Sequence, residues 1–317
     1  MITIAPSPKP VEAGFFASEI PTMQSAINKA AALVEAHKYI RQFEGKTIVV
    51  KVGGSIMDEP ETLASLVQDV CFMDAVGMRP IIVHGGGKGI TEAMKKAGLE
   101  AQFVQGRRYT DERTLAIAEH VLVNDINKDI VKQINALEHK AMGLHSLASC
   151  VVFAKKMFLD VPGENGTPSR RVDVGFVGEC DWINAELLKA MVEAEYIPVI
   201  APIARDSAGS KLNVNADSVA GYVAAALKAE KLILVSDTHG IRTSKEADSL
   251  ATHVTKAQIE GLVQTGIISA GMLPKVEAAI VALEAGVNKV HIIDGRIPHS
   301  LLLEVYTTSG VGTEIVL

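Results

Sequence analysis

Lys51-Val52-Gly53-Gly54-Ser55 and His84-Gly85-Gly86-Gly87-Lys88 are two glycine turns in the same setting. Each follows a short apolar run that reads as a buried strand, Thr47-Ile48-Val49-Val50 and Pro80-Ile81-Ile82-Val83. Each leads into a helical pattern. Strand, glycine turn and helix, twice in succession, is the order of a parallel α/β sheet. Ligands of such sheets bind beyond the carboxyl ends of the strands. Turns without side chains let backbone N–H groups approach an anion closely, with helix N-termini behind them. Lys51 and Lys88 add positive charge. The pattern predicts a phosphate cradle built by two adjacent turns.

The commoner phosphate motifs do not fit. A P-loop ends in Gly-Lys followed by Ser or Thr, and here Lys88 is followed by Gly89. A dinucleotide fingerprint needs glycine where Ile90 stands. One Gly-Gly pair would be explained by a tight turn alone. Two pairs, each after a strand and each beside a lysine, favour the cradle.

The chain has 317 residues, 48% hydrophobic and 21% charged, enough for a large core in one large domain or two lobes. Its net charge is −6, aromatics make up 4%, and there is no basic run, so nucleic acid is not an expected partner. No apolar stretch has the length of a membrane span. Cys71, Cys150 and Cys180 are scattered and odd in number. They read as free thiols of a reducing, cytoplasmic compartment, with no disulfide framework and no metal set. Asn165-Gly166-Thr167 is a glycosylation sequon by pattern only.

Residues 1–21, with four prolines, read as a disordered arm without the features of a secretory or transit leader. Thr22 can cap a helix running to about Phe43. Met23, Ile27, Ala30 and Val34 form one apolar face of it, and Leu33, Ile40 and Phe43 a second, with Tyr39 beside it. Such a helix either packs on its own domain or pairs with a second subunit, and the pattern leaves both open.

From Thr47 to about Pro202 a first lobe is expected, with helices at 60–76, 88–97 and 111–138 and strands near 149–153 and 196–201. The stretch Asp160–Gly178 reads as an antiparallel hairpin region. Arg107 and Arg108, in a loop before the helix start Thr110-Asp111, are candidates for a carboxylate fork. A second lobe starts near Ile203. There Asn213, Asn215 and Asp217 cluster at one helix entrance, where a simple N-cap would need only one of them. Strand Lys231–Val235 runs into the turn Ser236-Asp237-Thr238-His239-Gly240. Gly271-Met272-Leu273-Pro274-Lys275 opens another helix. Proline suits a first turn. Lysine there is opposed by the helix dipole, which makes Lys275 a candidate to meet an anion. His84, His239 and His291 lack ligand spacing and read as locally hydrogen-bonded residues.

Taken together and in order, Lys51–Ser55, His84–Gly87, Asn213–Asp217, Ser236-Asp237 and Gly271–Lys275 resemble the amino acid kinase family. Val174–Gly178 and Ile197–Pro202 also fit it. The resemblance covers roughly residues 39–317. Two departures stand out. Asn124 lies where the family usually carries glycine, and asparagine tolerates a left-handed backbone. Thr238-His239 is unusual after Ser236-Asp237.

The resemblance implies an α/β fold, a three-layer αβα sandwich around an open, mainly parallel eight-stranded sheet. It divides the chain into residues 1–45, an arm plus an interlocking helix; 46–202, a lobe for the acyl amino acid and dimerisation; and 203–317, a lobe for ATP and an arginine site. The implied reaction transfers the γ-phosphoryl group of ATP to the side-chain carboxylate of N-acetyl-L-glutamate, in arginine biosynthesis. Mg2+ would be held mainly by the ATP phosphates. Lys51 and Lys275 would neutralise the phosphoryl group, with Asp217 orienting both lysines. Gly53, Gly54 and Gly86 would donate backbone N–H groups to the phosphates. Gly86 and Gly87 would approach the substrate, Arg108 would clamp its α-carboxylate and Asn213 would bind the acylated amino acid. Ser236, Asp237 and Gly240 would line the nucleotide site.

The N-terminal helix, with Leu302–Thr313, resembles the arginine-inhibited members of the family. That implies a hexamer, as a trimer of dimers, and an effector site at Tyr39, Glu304 and Gly310. It adds the PII signalling protein to the candidate partners. Two other readings stay open: a related acid kinase, such as an N-acyl aminoadipate kinase, and a non-catalytic arginine or nucleotide sensor.

Overall fold

The computed structural model describes residues 22–145, 149–161, 170–244, 246, 249–269, 271–307 and 310–317. The expected disordered arm at 1–21 and the sequon at Asn165 lie outside them. Of the described residues, 22–38 fall in one compact unit and those from Tyr39 to Leu317 in another. Helix α1 (Met23–Phe43) runs through the boundary and ends on the buried Phe43.

In the second unit, β1 (Thr47–Val52) leads through Gly53 into the short α2 (Gly54–Met57) and α3 (Pro60–Ala75), which starts with proline in its first turn. Then come β2 (Arg79–His84), α4 (Gly87–Lys96) and a small hairpin of β3 (Phe103–Val104) and β4 (Arg107–Arg108). Next is α5 (Glu112–Glu119), whose N-cap Asp111 accepts a hydrogen bond from Thr114 N at 2.7 Å. The helix expected over 111–138 is helical from Glu112 to Ala136, but its middle, His120–Asn127, is a π-helix before α6 (Lys128–Ala136). Asn124 sits inside this right-handed stretch, so the left-handed tolerance read into it is not used.

Strand β5 (Ala141–Leu144) is followed by β6 (Val152–Val161) and β7 (Arg170–Ile183), an antiparallel pair. The hairpin is therefore longer than expected and absorbs the strand placed near 149–153. After α7 (Ala185–Glu193) come β8 (Ile197–Ile200), β9 (Ile203–Arg205) and β10 (Lys211–Val214). The chain closes with α8 (Ala216–Leu227), β11 (Lys231–Ser236), β12 (His253–Thr255), α9 (Lys256–Gln264), α10 (Leu273–Glu284), β13 (Lys289–Asp294), α11 (Ser300–Tyr306) and β14 (Thr313–Val316).

Among the described residues the main sheet has eight strands in the order β12-β14-β13-β11-β1-β2-β8-β5. Every neighbouring pair is parallel except β13–β14. With helices on both faces this is the expected αβα sandwich. The four strands of this sheet from residues after 202, β11 to β14, lie together on one side of β1. Strands β6, β7, β9 and β10 form a separate small closed ring. The central strands carry Ile48, Val49, Val50, Ile81, Ile82, Leu232 and Ile233 with no exposure, as a sheet covered on both faces requires. Each such side chain contributes about 1.5–3 kcal/mol when fully buried. The three cysteines are free.

Register sets the site. Val52 lies opposite both His84 and Val235, and Ser236 opposite Asp294. The turns after β1, β2, β11 and β13 therefore emerge at one end of the sheet. Helices α8 and α10 pack together there with a glycine at the contact. A Cβ on Gly221 would stand 2.8 Å from Ala278 O, so the close approach of the two helices needs glycine.

Candidate active site

Lys51 is next to last in β1. Its side chain is buried, and its Nζ lies 2.8 Å from Asp217 Oδ1. Asp217 is held in the first turn of α8, which Asn215 caps by accepting from Ser218 N at 3.0 Å. From the first turn of α10, Lys275 brings Nζ to 3.8 Å from Asp217 Oδ2. Burial alone would push the Asp217 carboxyl up, but Lys51 and Lys275 outweigh it and hold it below its ordinary range. Burial lowers the Lys275 ammonium, and Lys51 reinforces this against the pull of Asp217. One carboxylate between two ammonium groups leaves a surplus positive charge, and the N-terminal dipole of α10 adds to it. The arrangement is built to receive an anion.

The glycine turns face each other beside this triad. Gly53 N–H donates to Val235 O and Gly85 N–H to Val52 O, each at 3.0 Å. The Gly53 amide, expected to meet a phosphate, is thus engaged by the sheet. Gly54 and Gly87 instead open α2 and α4, and first-turn amides have no intrahelical partner. A Cβ on Gly54 would lie 3.4 Å from Gly87 N and 3.8 Å from Gly86 N. Only glycine leaves the space before those amides open to a ligand.

Arg108, on β4, is buried against α4. Its Nη2 donates to Gly87 O and to Thr91 Oγ1, each at 2.8 Å, and its guanidinium lies 4.8 Å from the centre of the Phe103 ring. Burial lowers its proton affinity, and among the described residues no carboxylate pairs with it. Arg107 does not join it. Alternation along the strand turns Arg107 the other way, to 3.9 Å from Glu277 on α10. The arginine pair read as one fork in a loop is two residues on a strand with separate partners. Asn213, on β10, donates to Thr110 Oγ1 at 3.5 Å, and that hydroxyl donates to Arg108 O at 2.9 Å. Asn213 and Arg108 are thus linked through Thr110.

Ser236, Asp237, Gly240 and Lys275 share a cleft of about 800 Å³ with apolar walls from Ile268 and Met272. Burial raises the Asp237 carboxyl, but hydrogen bonding from Ser55 and the charge of Lys275 outweigh it and bring it down. The unusual His239 stands at 3.0 Å from the buried Asp294, which Arg296 also grips at 2.6 Å. Tyr39, Glu304 and Gly310 line a different cavity, of about 550 Å³, at the amino ends of the strands. There Glu304 Oε1 lies 2.5 Å from His291 Nδ1, Oε2 accepts from Val311 N at 2.7 Å, and Lys231 Nζ is 3.2 Å from His291 Nε2.

Sequence reading missed Thr91 and Phe103, which hold Arg108. Thr91 lies one helical turn after Gly87, a spacing visible in the sequence. Phe103 carried no local signal. Among the described residues no group of three or more His, Cys, Asp or Glu side chains is placed to hold a metal ion.

The chain matches the amino acid kinase family over residues 46–294. It is 46% identical over 294 residues to an acetylglutamate kinase of Symbiobacterium thermophilum, covering 92% of this chain and 99% of that protein. To an acetylglutamate kinase of a Sulfurihydrogenibium species it is 45% identical over 302 residues, covering 93% and 100%. Its fold is similar to that of N-acetylglutamate synthase from Neisseria gonorrhoeae complexed with coenzyme A and N-acetyl-glutamate, at a TM-score of 0.78 and 24% identity. That likeness covers 91% of this chain and 63% of the synthase.

Proposed function

The chain belongs to the amino acid kinase family and, within it, to the acetylglutamate kinases, and from that premise we propose that its site moves the γ-phosphoryl group of ATP onto the side-chain carboxylate of N-acetyl-L-glutamate in arginine biosynthesis. One observation carries the reading: Asp217 clamped between Lys51 and Lys275, from a strand and a helix that meet only in the fold. A carboxylate nucleophile is already ionised near neutral pH, so no general base is required. Catalysis is positioning and charge neutralisation.

The nucleotide occupies the cleft of Ser236, Asp237 and Gly240, with its phosphates toward Lys275. The acceptor lies on the Arg108 side, its α-carboxylate on the guanidinium, which no described carboxylate already engages, and its acylated end at Asn213. The side-chain carboxylate oxygen attacks phosphorus, and the bond to the β-phosphate oxygen breaks. Lys51 and Lys275 meet the charge on the transferred group. The Gly54, Gly86 and Gly87 amides face the same space. The donor set fits a metal that arrives with its nucleotide, because Asp217 is committed to two lysines and offers no cage. Mg2+ held by the ATP phosphates would supply further charge neutralisation. Parallel assays with N-acetyl-glutamate and N-acetyl-aminoadipate test the chain length, and preference for the longer acid would reassign the substrate.

Arg108→Ala is expected to raise the acceptor KM about 10–100-fold, the worth of charge-assisted hydrogen bonds, and leave the ATP KM unchanged. The guanidinium meets a carboxylate that does not react, so kcat changes little. Initial-rate kinetics check this, and an effect confined to ATP would place Arg108 in the nucleotide site.

The same reading assigns the 550 Å³ cavity to L-arginine as feedback inhibitor, with Glu304 toward its cationic groups and Gly310 and Tyr39 beside it. It supports a hexamer assembled through α1, with a PII signalling protein as a further partner, in the cytoplasm. No described helix is long and apolar enough to cross a membrane. Glu304→Gln is expected to weaken arginine inhibition about 10–100-fold with assembly intact. Removal of residues 1–38 is expected to give active dimers with weaker inhibition. An arginine titration with sedimentation decides both, and a truncated chain that stays hexameric and equally sensitive rejects the role of α1.

A further inference from the structure

The strand β2 ends on His84, with no exposed surface, immediately before the glycine turn. Its ring touches two fixed partners: Nε2 lies 3.0 Å from Asn127 Nδ2, and Nδ1 lies 2.9 Å from Gly85 O. Asn127 is the last residue of the π-helix and is also buried.

The protons can be assigned from chemistry alone. Asn127 Nδ2 also contacts Val199 O at 2.9 Å, and a carbonyl oxygen can only accept. The amide NH2 group must therefore face both Val199 and His84. A donor facing Nε2 requires that nitrogen to be unprotonated. The neutral ring then carries its proton on Nδ1 and donates it to Gly85 O. Burial keeps the ring neutral, with its pKa lowered to about 4.

Gly85 O belongs to the peptide plane that ends in Gly86 N–H. In a planar trans peptide the carbonyl and the N–H point in opposite directions. A donor gripping Gly85 O therefore sets the direction in which the Gly86 amide points. The π-helix also bears on this turn from its other side chains. A Cβ on Gly86 would lie 2.6 Å from Leu122 Cδ2 and 2.8 Å from Ile126 Cδ1. A π-helical stretch is rare and is frequently found at functional sites. Here it brings Leu122, Ile126 and Asn127 to one turn.

We infer that Asn127 and His84 are positioning residues: Asn127 fixes the tautomer of His84, and His84 Nδ1–H holds the peptide that aims the Gly86 amide at the transferring phosphoryl group. The inference rests on the proposed kinase reaction for its consequence, but the hydrogen-bond chain itself does not depend on it. Phosphate recognition by the glycine turn thus extends to a residue on a helix well removed in sequence, and the neutral ring makes it insensitive to pH across the neutral range.

Two measurements on the full-length chain test this. Nitrogen-15 NMR of the His84 ring is expected to show a protonated Nδ1 and an unprotonated Nε2 throughout the neutral range. A protonated Nε2 overturns the assignment. Asn127→Leu keeps the side-chain size and removes both donated hydrogen bonds. It is expected to lower kcat by about 10²-fold, the order seen for a misplacement near 1 Å, with the acceptor KM unchanged. A folded variant with wild-type kcat overturns the positioning role. If the variant does not fold, the NMR result still decides the ring assignment, and Asn127→Gln, which keeps the amide but shifts it by one methylene, is expected to show the same loss of kcat, with wild-type kcat overturning the positioning role. Absence of acyl phosphate from the unaltered chain would reject the kinase reading and leave the ring assignment to stand or fall separately.

Discussion

Lys51→Ala is expected to lower kcat by roughly 10²–10³-fold, about 2.7–4 kcal/mol of transition-state stabilisation, by analogy with removing one preorganised donor. The lysine is buried at the end of β1, so solvent screens its charge only weakly. It is fixed before substrate arrives, by the strand and by the 2.8 Å pair with Asp217, and pays no reorganisation during transfer. Its loss should leave acceptor binding, centred on Arg108, almost unchanged. Steady-state kinetics on the folded variant check this. Wild-type turnover would remove Lys51 from the mechanism.

Asp217→Asn is expected to reduce kcat by a factor of similar size and, unlike the lysine change, to alter the pH profile. The substitution keeps shape and removes the anion between the buried Lys51 ammonium and the half-buried Lys275 ammonium. Leaving buried charge without its partner typically costs about 3–5 kcal/mol of stability, which a denaturant titration would read. The effect on pH has a definite sign. Lys275 must be protonated to neutralise phosphate, so activity is lost as pH rises through its pKa. That pKa is already lowered by burial and by Lys51, and Asp217 opposes the shift. Without Asp217 it falls further, and the alkaline limb of kcat moves to lower pH. An unchanged limb would mean that Asp217 does not govern the charge of Lys275.

Much of the site was legible because the chemistry sits in local patterns. The two glycine turns follow recognisable strands, and Lys275 stands out as a cation in a first helical turn. The sequence does not show which amides the sheet consumes, so it offers the Gly53 N–H to phosphate although Val235 O engages it in the fold. Arg107 and Arg108 looked equivalent because nothing local marks a two-residue strand, yet that strand's alternation sends them to different helices. Strand β5 was not foreseen: Ala141-Met142-Gly143-Leu144 has no β-branched residue, and its place at the sheet edge comes from pairing with β8. The π-helix was hidden for a related reason. Its apolar pattern is that of any helix, and only the turn it packs against explains the altered winding.

The central claim is that this site makes an acyl phosphate. Incubation of the purified chain with ATP, Mg2+ and N-acetyl-L-glutamate, with hydroxylamine to trap the product, tests it most directly. The expected result is a hydroxamate formed in step with ADP, dependent on the acceptor and greatly reduced by Lys51→Ala. ADP formation without hydroxamate, or no turnover from a folded chain that binds both substrates, would contradict it.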